Sequence, residues 1–299
     1  MKWLSMGIFG SVLVLALPAA AGSSRGGGGR ITLVRADWCK AEVTDCGRGD
    51  IAVINPDGSG LRVLTHERAA VRVSESSPRW SPDGQDIAYI RPRHGGRGGA
   101  QVWLMAADGT HQRALTHFGP VPGNLDWAPN GRQIVFTNGT SNLWVANVRT
   151  GAVKVLARTR FYSVNYPAWS PNGRWIAFVE YARGEIAGTG QIFLLSTTTH
   201  RVRQLTDTQK NYPPWSPAWS PDSRRVAFTY HGKIYVINAD GSRQRSLKAD
   251  GTEPSWSPDG QWIVFSYGGN LQEMRTNGTN LHLITHAPNP KWVNDQPDW

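Results

Sequence analysis

Histidines recur at one position of a repeated segment, which raises the possibility of a metal site. His66, His117 and His286 each follow a Leu-Thr or Ile-Thr pair, and imidazole is a common zinc ligand. Zinc would need all three nitrogens within about 2.1 Å of one point. The three positions belong to the outer strands of separate repeats, so we expect them to stay apart. We therefore predict no metal site and no cofactor.

Aspartates recur too, and their oxygens are the ligands that calcium prefers. They lie in short turn-like segments, most of them ending in Asp-Gly: Asp57, Asp83, Asp108, Asp222, Asp240 and Asp259. None of these segments has the alternating carboxylates of an EF-hand loop. A short polar side chain at such a position caps a tight turn, so we interpret these aspartates as turn residues.

A third possibility is proton abstraction from an acidic sugar. This reaction needs a base, often His or Tyr, beside a cation that neutralises the uronate carboxylate. His94 lies between Arg93 and Arg97, and Tyr162 lies close to Arg160 in sequence. Neither group has a diagnostic spacing. A lyase or lectin acting on acidic polysaccharide is therefore the alternative to the binding function argued below.

The elements that must position these residues follow from a repeat. Five segments of the type Trp-Ser-Pro-Asp-Gly begin at Trp80, Trp127, Trp169, Trp219 and Trp256, and Trp299 ends the chain. Successive tryptophans are 37 to 50 residues apart, and a triplet of the type Ile-Ala-Phe follows each of the first five. Four short strands per roughly 40–45 residues is the period of a β-propeller blade.

The two ends of the repeated region predict how the ring closes. Ile31-Thr32-Leu33 corresponds to the second strand of a blade, while Trp299 marks a first strand with no second strand after it. The two fragments complement each other. We therefore predict an all-β, six-bladed β-propeller over residues 31–299, with four antiparallel strands per blade and the first blade closed by the C-terminal strand, which leaves no open end blade.

The N-terminal residues have the pattern of a secretory signal peptide. Lys2 precedes an apolar run over residues 8–17, and Ala19 and Ala21 form an A-x-A cleavage site. We predict a signal peptide over 1–21 and a Gly-rich leader over 22–30. The apolar run is shorter than the roughly 20 residues that cross a bilayer, so an uncleaved anchor is the weaker alternative. We expect export to the periplasm or the extracellular space, with no membrane span.

The chain has two cysteines, Cys39 and Cys46. In an oxidising compartment they would close a small loop as a disulfide. A free reactive pair is the alternative.

One face of the predicted propeller carries nearly all the irregular sequence. We name the strands of a blade A to D from the ring axis outward, and we call the face formed by the B–C and D–A connections the loop-rich face. Its cationic and aromatic residues are the predicted binding residues: Arg91, Arg93, His94, Arg97, Arg160, Phe161, Tyr162, Tyr212, Trp215 and Trp292. Arg, Tyr and Trp are enriched in interface hot spots, and long loops on a rigid scaffold commonly carry binding sites. An ordinary solvated surface is the alternative.

The repeat resembles that of the TolB family, in which Trp-Ser-Pro-Asp-Gly precedes Ile-Ala-Phe, Asn-Ala-Asp-Gly and Leu-Thr. The resemblance covers residues 31–299. It implies an exported, non-catalytic scaffold for protein–protein interaction in the cell envelope. Prolyl-oligopeptidase-type peptidases have related repeats, but residues 31–299 contain no Gly-x-Ser-x-Gly segment, so we predict that the chain is not an enzyme.

The formal net charge of +10 favours an acidic partner. We expect an envelope or extracellular protein, with an anionic glycan as the other possibility. No nucleic-acid-binding module is present in the sequence, so we predict no nucleic acid partner. We expect a monomer.

Overall fold

The computed structural model describes residues 29–37, 49–66, 75–93, 99–117, 122–159, 163–181, 190–208, 212–286 and 292–299. These residues form six separate four-stranded antiparallel sheets arranged as blades around a ring. The predicted six-bladed, all-β propeller is confirmed. Each blade runs from an inner strand A to an outer strand D.

The strands follow one another in chain order. Blade 1 contains β1 (Ile31–Asp37), β2 (Gly49–Ile54), β3 (Arg62–Val63) and the last strand, β24 (Trp292–Asp298). Blade 2 contains β4 (Ser76–Trp80), β5 (Asp86–Pro92), β6 (Ala100–Ala106) and β7 (Arg113–Ala114). Blade 3 contains β8 (Asn124–Trp127), β9 (Gln133–Thr137), β10 (Asn142–Asn147) and β11 (Val153–Arg158).

The second half of the ring has the same order. Blade 4 contains β12 (Ser163–Trp169), β13 (Trp175–Tyr181), β14 (Gly190–Ser196) and β15 (Val202–Gln204). Blade 5 contains β16 (Trp215–Trp219), β17 (Arg225–Tyr230), β18 (Lys233–Asn238) and β19 (Arg245–Asp250). Blade 6 contains β20 (Thr252–Trp256), β21 (Trp262–Tyr267), β22 (Asn270–Arg275) and β23 (His282–Leu283).

The ring closes where the last strand joins the first. Strand β24 pairs antiparallel with β1, from Thr32 opposite Asp298 to Asp37 opposite Trp292. The Thr32 hydroxyl also donates a hydrogen bond of 3.4 Å to the Asp298 carbonyl oxygen. The prediction that the C-terminal strand completes blade 1 is therefore confirmed.

The hydrophobic core lies between the faces of neighbouring blades. The Ile-Ala-Phe triplets form the B strands, and in blade 4 Ile176, Ala177 and Phe178 are all fully buried. A strand covered on both faces is apolar throughout rather than alternating, which explains the triplet. Burying such a large apolar side chain stabilises the fold by about 1.5–3 kcal/mol.

The threonine of each Leu-Thr pair ties strand D to strand C. The Thr65 hydroxyl oxygen accepts a 2.9 Å hydrogen bond from the Ile51 amide, the residue near the start of the C strand in blade 1. The same bond recurs in blades 2, 4 and 6, from the amides of Val102, Ile192 and Leu271 to Thr116, Thr206 and Thr285. This bond is the physical reason for the repeated threonine, because it satisfies an amide that strand pairing leaves open.

Glycines of the C–D turns allow one blade to approach the next. A Cβ on Gly151 of blade 3 would lie 2.5 Å from the Leu115 carbonyl oxygen of blade 2. A Cβ on Gly278 of blade 6 would lie 2.7 Å from the Leu247 oxygen of blade 5. The repeated Asp-Gly turns are therefore packing contacts between blades as well as chain reversals.

Arginines on the outer strands make a second set of contacts between blades. Arg113 in blade 2 donates to the Val148 carbonyl of the C–D turn in blade 3, at 3.4 Å. Arg245 in blade 5 donates to the Thr276 carbonyl in blade 6, at 3.1 Å. Arg62 and Arg203 make the same kind of bond to Asp108 and Ala239. We call Arg62, Arg113, Arg203 and Arg245 the perimeter arginines. A part of the chain's positive charge therefore contributes to contacts between neighbouring blades.

Gly151→Ala should destabilise the protein by roughly 1–3 kcal/mol more than Gly131→Ala. Both glycines have a similar positive φ, 70° and 67°, but a Cβ at Gly131 meets nothing within 4 Å. The pair therefore separates the clash between blades from the backbone strain. Urea unfolding of both variants measures the difference, and equal losses of unfolding free energy would contradict the proposed packing role.

Candidate functional site at the central channel and its rim

The A strands surround a central channel, and a proline shapes most of them. In five blades, the residue before this proline has a φ near +50°: Ser77, Tyr166, Ser216, Glu253 and Gln296. The strand register shifts at each of these points. Proline cannot donate to a β-ladder and is accommodated at a bulge. Blade 3 has Asn124-Leu125 at this place and keeps regular pairing.

The channel has two tiers of side chains. The upper tier consists of the bulge residues and Asn124. The lower tier is the residue immediately before each tryptophan: Arg79, Asp126, Ala168, Ala218, Ser255 and Asp298. Below them, the tryptophans and the prolines of the A–B turns complete a cavity of about 430 Å³. All six blades contribute to this cavity.

The lower-tier residue decides how its blade bonds to the next one. Where it is Asp or Ser, its side chain accepts the backbone amide of the next tryptophan. These bonds are Asp298 to Trp80 at 2.8 Å, Asp126 to Trp169 at 2.6 Å and Ser255 to Trp299 at 3.2 Å. Each acceptor side chain therefore joins two neighbouring blades.

The other three lower-tier residues, Arg79, Ala168 and Ala218, use their main chain. The next tryptophan donates its indole N–H to their carbonyl oxygen: Trp127 to Arg79 at 3.0 Å, and Trp219 to Ala168 and Trp256 to Ala218 at 3.1 Å. These three tryptophans are buried, whereas Trp80, Trp169 and Trp299 are half-buried. The repeated tryptophan thus holds the blades together in two ways.

The bulge residues also link neighbouring blades. The Glu253 carboxyl accepts the Gln296 amide at 2.9 Å, and the Gln296 side-chain oxygen accepts the Ser77 amide at 2.6 Å. The Asn124 side-chain oxygen accepts the Tyr166 amide at 3.3 Å. Channel side chains are therefore held in place by backbone groups of the next blade.

The channel is acidic although the whole chain is basic. Burial raises the pKa of Asp126 to about 7, against the attraction of the Arg79 guanidinium. Burial also raises the pKa of Asp298, which Arg79 counteracts in the same way. Burial and a hydrogen bond with Asp295 raise the pKa of Glu253 to about 9. Glu253 is therefore protonated at neutral pH and can donate its proton to Asp295.

The structure gives Arg91 a role inside blade 2. Its guanidinium Nε lies 3.5 Å from a carboxylate oxygen of the fully buried Glu75, and it lies over the Trp103 ring at 4.6 Å. The Arg91 side chain is only 16% exposed. Burial raises the pKa of Glu75 to about 7. Arg93, close to it in sequence, donates to the His117 carbonyl.

Two of the predicted aromatic residues lie on the loop-rich face of blade 5. Tyr212 is 55% exposed, with its ring centroid 4.1 Å from that of His231. Trp215 is half-buried and packs against Tyr166 of the upper tier at 5.8 Å. Trp215 therefore connects the loop-rich face to the channel.

The remaining predicted residues lie outside the part of the chain that the structure describes, in whole or in their side chains. Trp292 lies in β24, and its side chain is outside the description. Also outside the described residues are the proposed signal peptide, the Cys39–Cys46 pair, and the predicted binding residues His94, Arg97, Arg160, Phe161 and Tyr162. Within the described ranges, no group of three or more His, Cys, Asp or Glu could hold a metal ion, and no helix has the length and apolar character needed to cross a bilayer.

The sequence reasoning missed the channel residues. Their signal was the varying residue within an otherwise constant frame: Arg79, Asp126 and Asp298 stand where Ala168 and Ala218 stand in other repeats. A charge at the position before a constant, buried tryptophan is directed at the ring axis. Comparison of the repeats with one another would have located this site.

Comparisons with known proteins agree with the fold. Residues 162–297 match the family described as "TolB beta propeller domain". A "Tol-Pal system protein TolB" from Alcanivorax borkumensis is 35% identical over 27% of this chain and 18% of its own length. The crystal structure of TolB from Acinetobacter baumannii superimposes with a TM-score of 0.71 at 22% identity, covering 91% of this chain and 66% of that one. The TolB-like β-propeller is confirmed.

The same comparisons overturn the prediction that the chain is not an enzyme. A "Dipeptidyl-peptidase 5" from Porphyromonas gingivalis is 25% identical over 57% of this chain and 27% of its own length. An "Uncharacterized peptidase YuxL" from Bacillus subtilis is 25% identical over 34% of this chain and 21% of its own length. The repeats are thus shared with proteins named as peptidases, and the lack of a Gly-x-Ser-x-Gly segment within residues 31–299 was insufficient ground for excluding an enzyme. The matched segments span about a fifth to a quarter of these relatives' lengths.

Glu253→Gln should make the unfolding free energy less dependent on pH. The folded-state pKa of Glu253 is about 9 against an ordinary 4.5, so the folded protein binds this proton more tightly than the unfolded chain. Stability should fall as the pH rises from about 4.5 towards 9. Glutamine keeps an acceptor for Gln296 and a donor for Asp295 without titrating.

Urea unfolding between pH 5 and 9.5 measures this effect. The matched control is Asp207→Asn, which removes an exposed carboxylate. We expect the Glu253→Gln profile to be flatter than those of the wild type and the control. Parallel plots of unfolding free energy against pH for all three proteins would show that the Glu253 carboxyl does not hold a proton with a raised pKa in the folded protein.

Proposed function

We propose that this TolB-like propeller is an exported module of the cell envelope that binds a protein partner through its loop-rich face. The observation that carries the proposal is the difference between the two faces. On the opposite face, the C–D turns contact the neighbouring blade through Gly151, Gly278 and the perimeter arginines. That face therefore serves to hold the ring together.

The loop-rich face has groups that the ring does not use. The longest connections between strands, 64–75 and 38–48, belong to it. Long connections on a rigid scaffold commonly carry binding sites. The relatives named for the Tol-Pal system support an envelope role, and Lys2, the apolar run and Ala19-x-Ala21 support export.

The upper tier of the channel continues this face inward. A partner segment that enters between the loops would meet Tyr166 and Trp215 on one side and Glu253 with Asp295 on another. Farther in, it would meet Asp126 and the other lower-tier side chains. This gradient from aromatic to acidic fits a polypeptide with an apolar residue next to a hydrogen-bond donor or a cation.

A charge-neutralised loop variant should lose the partner. The purified protein is immobilised and exposed to detergent-solubilised envelope extract of the source cell. Arg93→Gln with Arg97→Gln removes two charges from the predicted binding residues and keeps Arg91, which is paired with Glu75. Binding by the wild type should weaken with salt, because exposed charges are screened.

The control removes the same charge from the opposite face. Arg149→Gln with Arg243→Gln changes two exposed arginines on C–D turns. We expect a partner protein to be retained by the wild type and the control, and to be reduced at least several-fold with the loop variant. Equal retention by all three proteins would refute the loop-rich face as the binding surface.

A further inference from the structure

The loop-rich face has short hairpins at the B–C connections of blades 5 and 6. The B–C connections of these blades are two-residue turns, His231-Gly232 and Gly268-Gly269, between paired strands. All four residues have positive φ, between 51° and 77°, as in the type I′ turns that favour tight hairpins. Side chains beside these turns are therefore held on short, hydrogen-bonded supports.

Two exposed aromatic rings occupy this surface. Tyr212 is 55% exposed and Tyr267 is 50% exposed; the other large apolar side chains exposed in the described ranges are aliphatic. The Tyr212 ring packs at 33° against His231, whose other contact is the edge of the buried Tyr230 at 4.4 Å. The Tyr212–His231 pair therefore packs against the buried Tyr230 ring on one side and is open to solvent on the other.

An ion pair lies next to the His231-Gly232 turn. Lys233 and Asp250 face each other across strands β18 and β19, and their side chains form a salt bridge while remaining 44% and 54% exposed. The Asp250 carboxylate raises the pKa of Lys233, and Tyr267 of blade 6 adds to that effect. We call Tyr212, His231, Lys233, Asp250 and Tyr267 the tyrosine rim.

We propose that the tyrosine rim binds a neutral oligosaccharide. The apolar C–H face of a pyranose packs on an aromatic ring, and the rim offers two exposed rings for such packing. The Lys233 ammonium offers hydrogen-bond donors and the Asp250 carboxylate offers acceptors. Sugar hydroxyls can bond to both. Because the pair carries no net charge, the rim has no preference for an acidic glycan.

A protein partner fits this rim less well. Cores of protein interfaces are depleted of charged residues, whereas the tyrosine rim contains the Lys233–Asp250 ion pair. Covering it with apolar side chains would remove both charges from water without replacing their hydrogen bonds. A bound glycan instead offers hydroxyl groups, which can replace the water molecules that hydrogen-bond to the two charged groups. The inference goes beyond the proposed protein-binding function and does not depend on it.

Titration of the full-length protein with defined oligosaccharides tests the inference. The probes are cellohexaose, chitohexaose and an oligogalacturonate, measured by calorimetry and by NMR. We expect at least one of the two neutral probes to bind, with little change in affinity between low and high salt. Tyr212→Ala and Tyr267→Ala should each weaken binding by about tenfold.

The control is Leu281→Ala, which removes an equally exposed side chain from blade 6. Its affinity should equal that of the wild type, and thermal unfolding should confirm that every variant folds. Absence of binding by both neutral probes, or binding that the tyrosine variants leave unchanged, would overturn the proposal. So would loss of a captured protein partner from these variants without any glycan binding. Loss of glycan binding by the Tyr267→Ala variant with retained protein capture would support it.

Discussion

The ring depends on the contact between each inner strand and the tryptophan of the next blade. Blades pack face to face through apolar side chains, and such packing alone does not fix the position of one sheet against another. Hydrogen bonds are directional and do so. Each of the six interfaces has one such bond, either from a backbone amide to Asp126, Ser255 or Asp298, or from an indole to a main-chain carbonyl. All of them lie where the blades are closest together.

The chemistry of the channel is a consequence of this arrangement. The residue before each tryptophan both faces the axis and bonds to the next blade, so every aspartate that strengthens an interface also adds an acid to the cavity. The acids are buried together, which is why the pKa values of Asp126 and Glu253 are raised. Arg79 is the cation between Asp298 and Asp126 in the order of the blades, and its attraction opposes the effect of burial on both.

The fold could be predicted from the sequence because its signal is periodic. A tryptophan, a turn and an apolar triplet recur in step, and the two incomplete ends complement each other, so the number of blades and the closure of the ring followed directly.

The roles of the arginines were harder to predict. Arg91 looks like a surface cation in the sequence, but it lies against the buried Glu75, 16 positions earlier, and such a partner cannot be inferred from spacing. The perimeter arginines likewise bond to turns 31 to 46 positions away. The channel residues were missed because they differ between repeats, whereas the periodic signal consists of the residues that the repeats share. The error on enzymatic activity had a different cause, since one missing motif was taken to exclude a class.

Closure of blade 1 by β24 also governs the order in which the protein can fold. Blades 2 to 6 are each made from contiguous chain, so they can form as the chain emerges. Blade 1 cannot, because Thr32 pairs with a residue 266 positions later. Bringing such distant ends together costs about 5 kcal/mol of chain entropy, which only the nearly complete ring can offset. The β1 strand therefore has no partner until β24 has been made, and the pairing of these two strands depends on all of blades 2 to 6 being present between them.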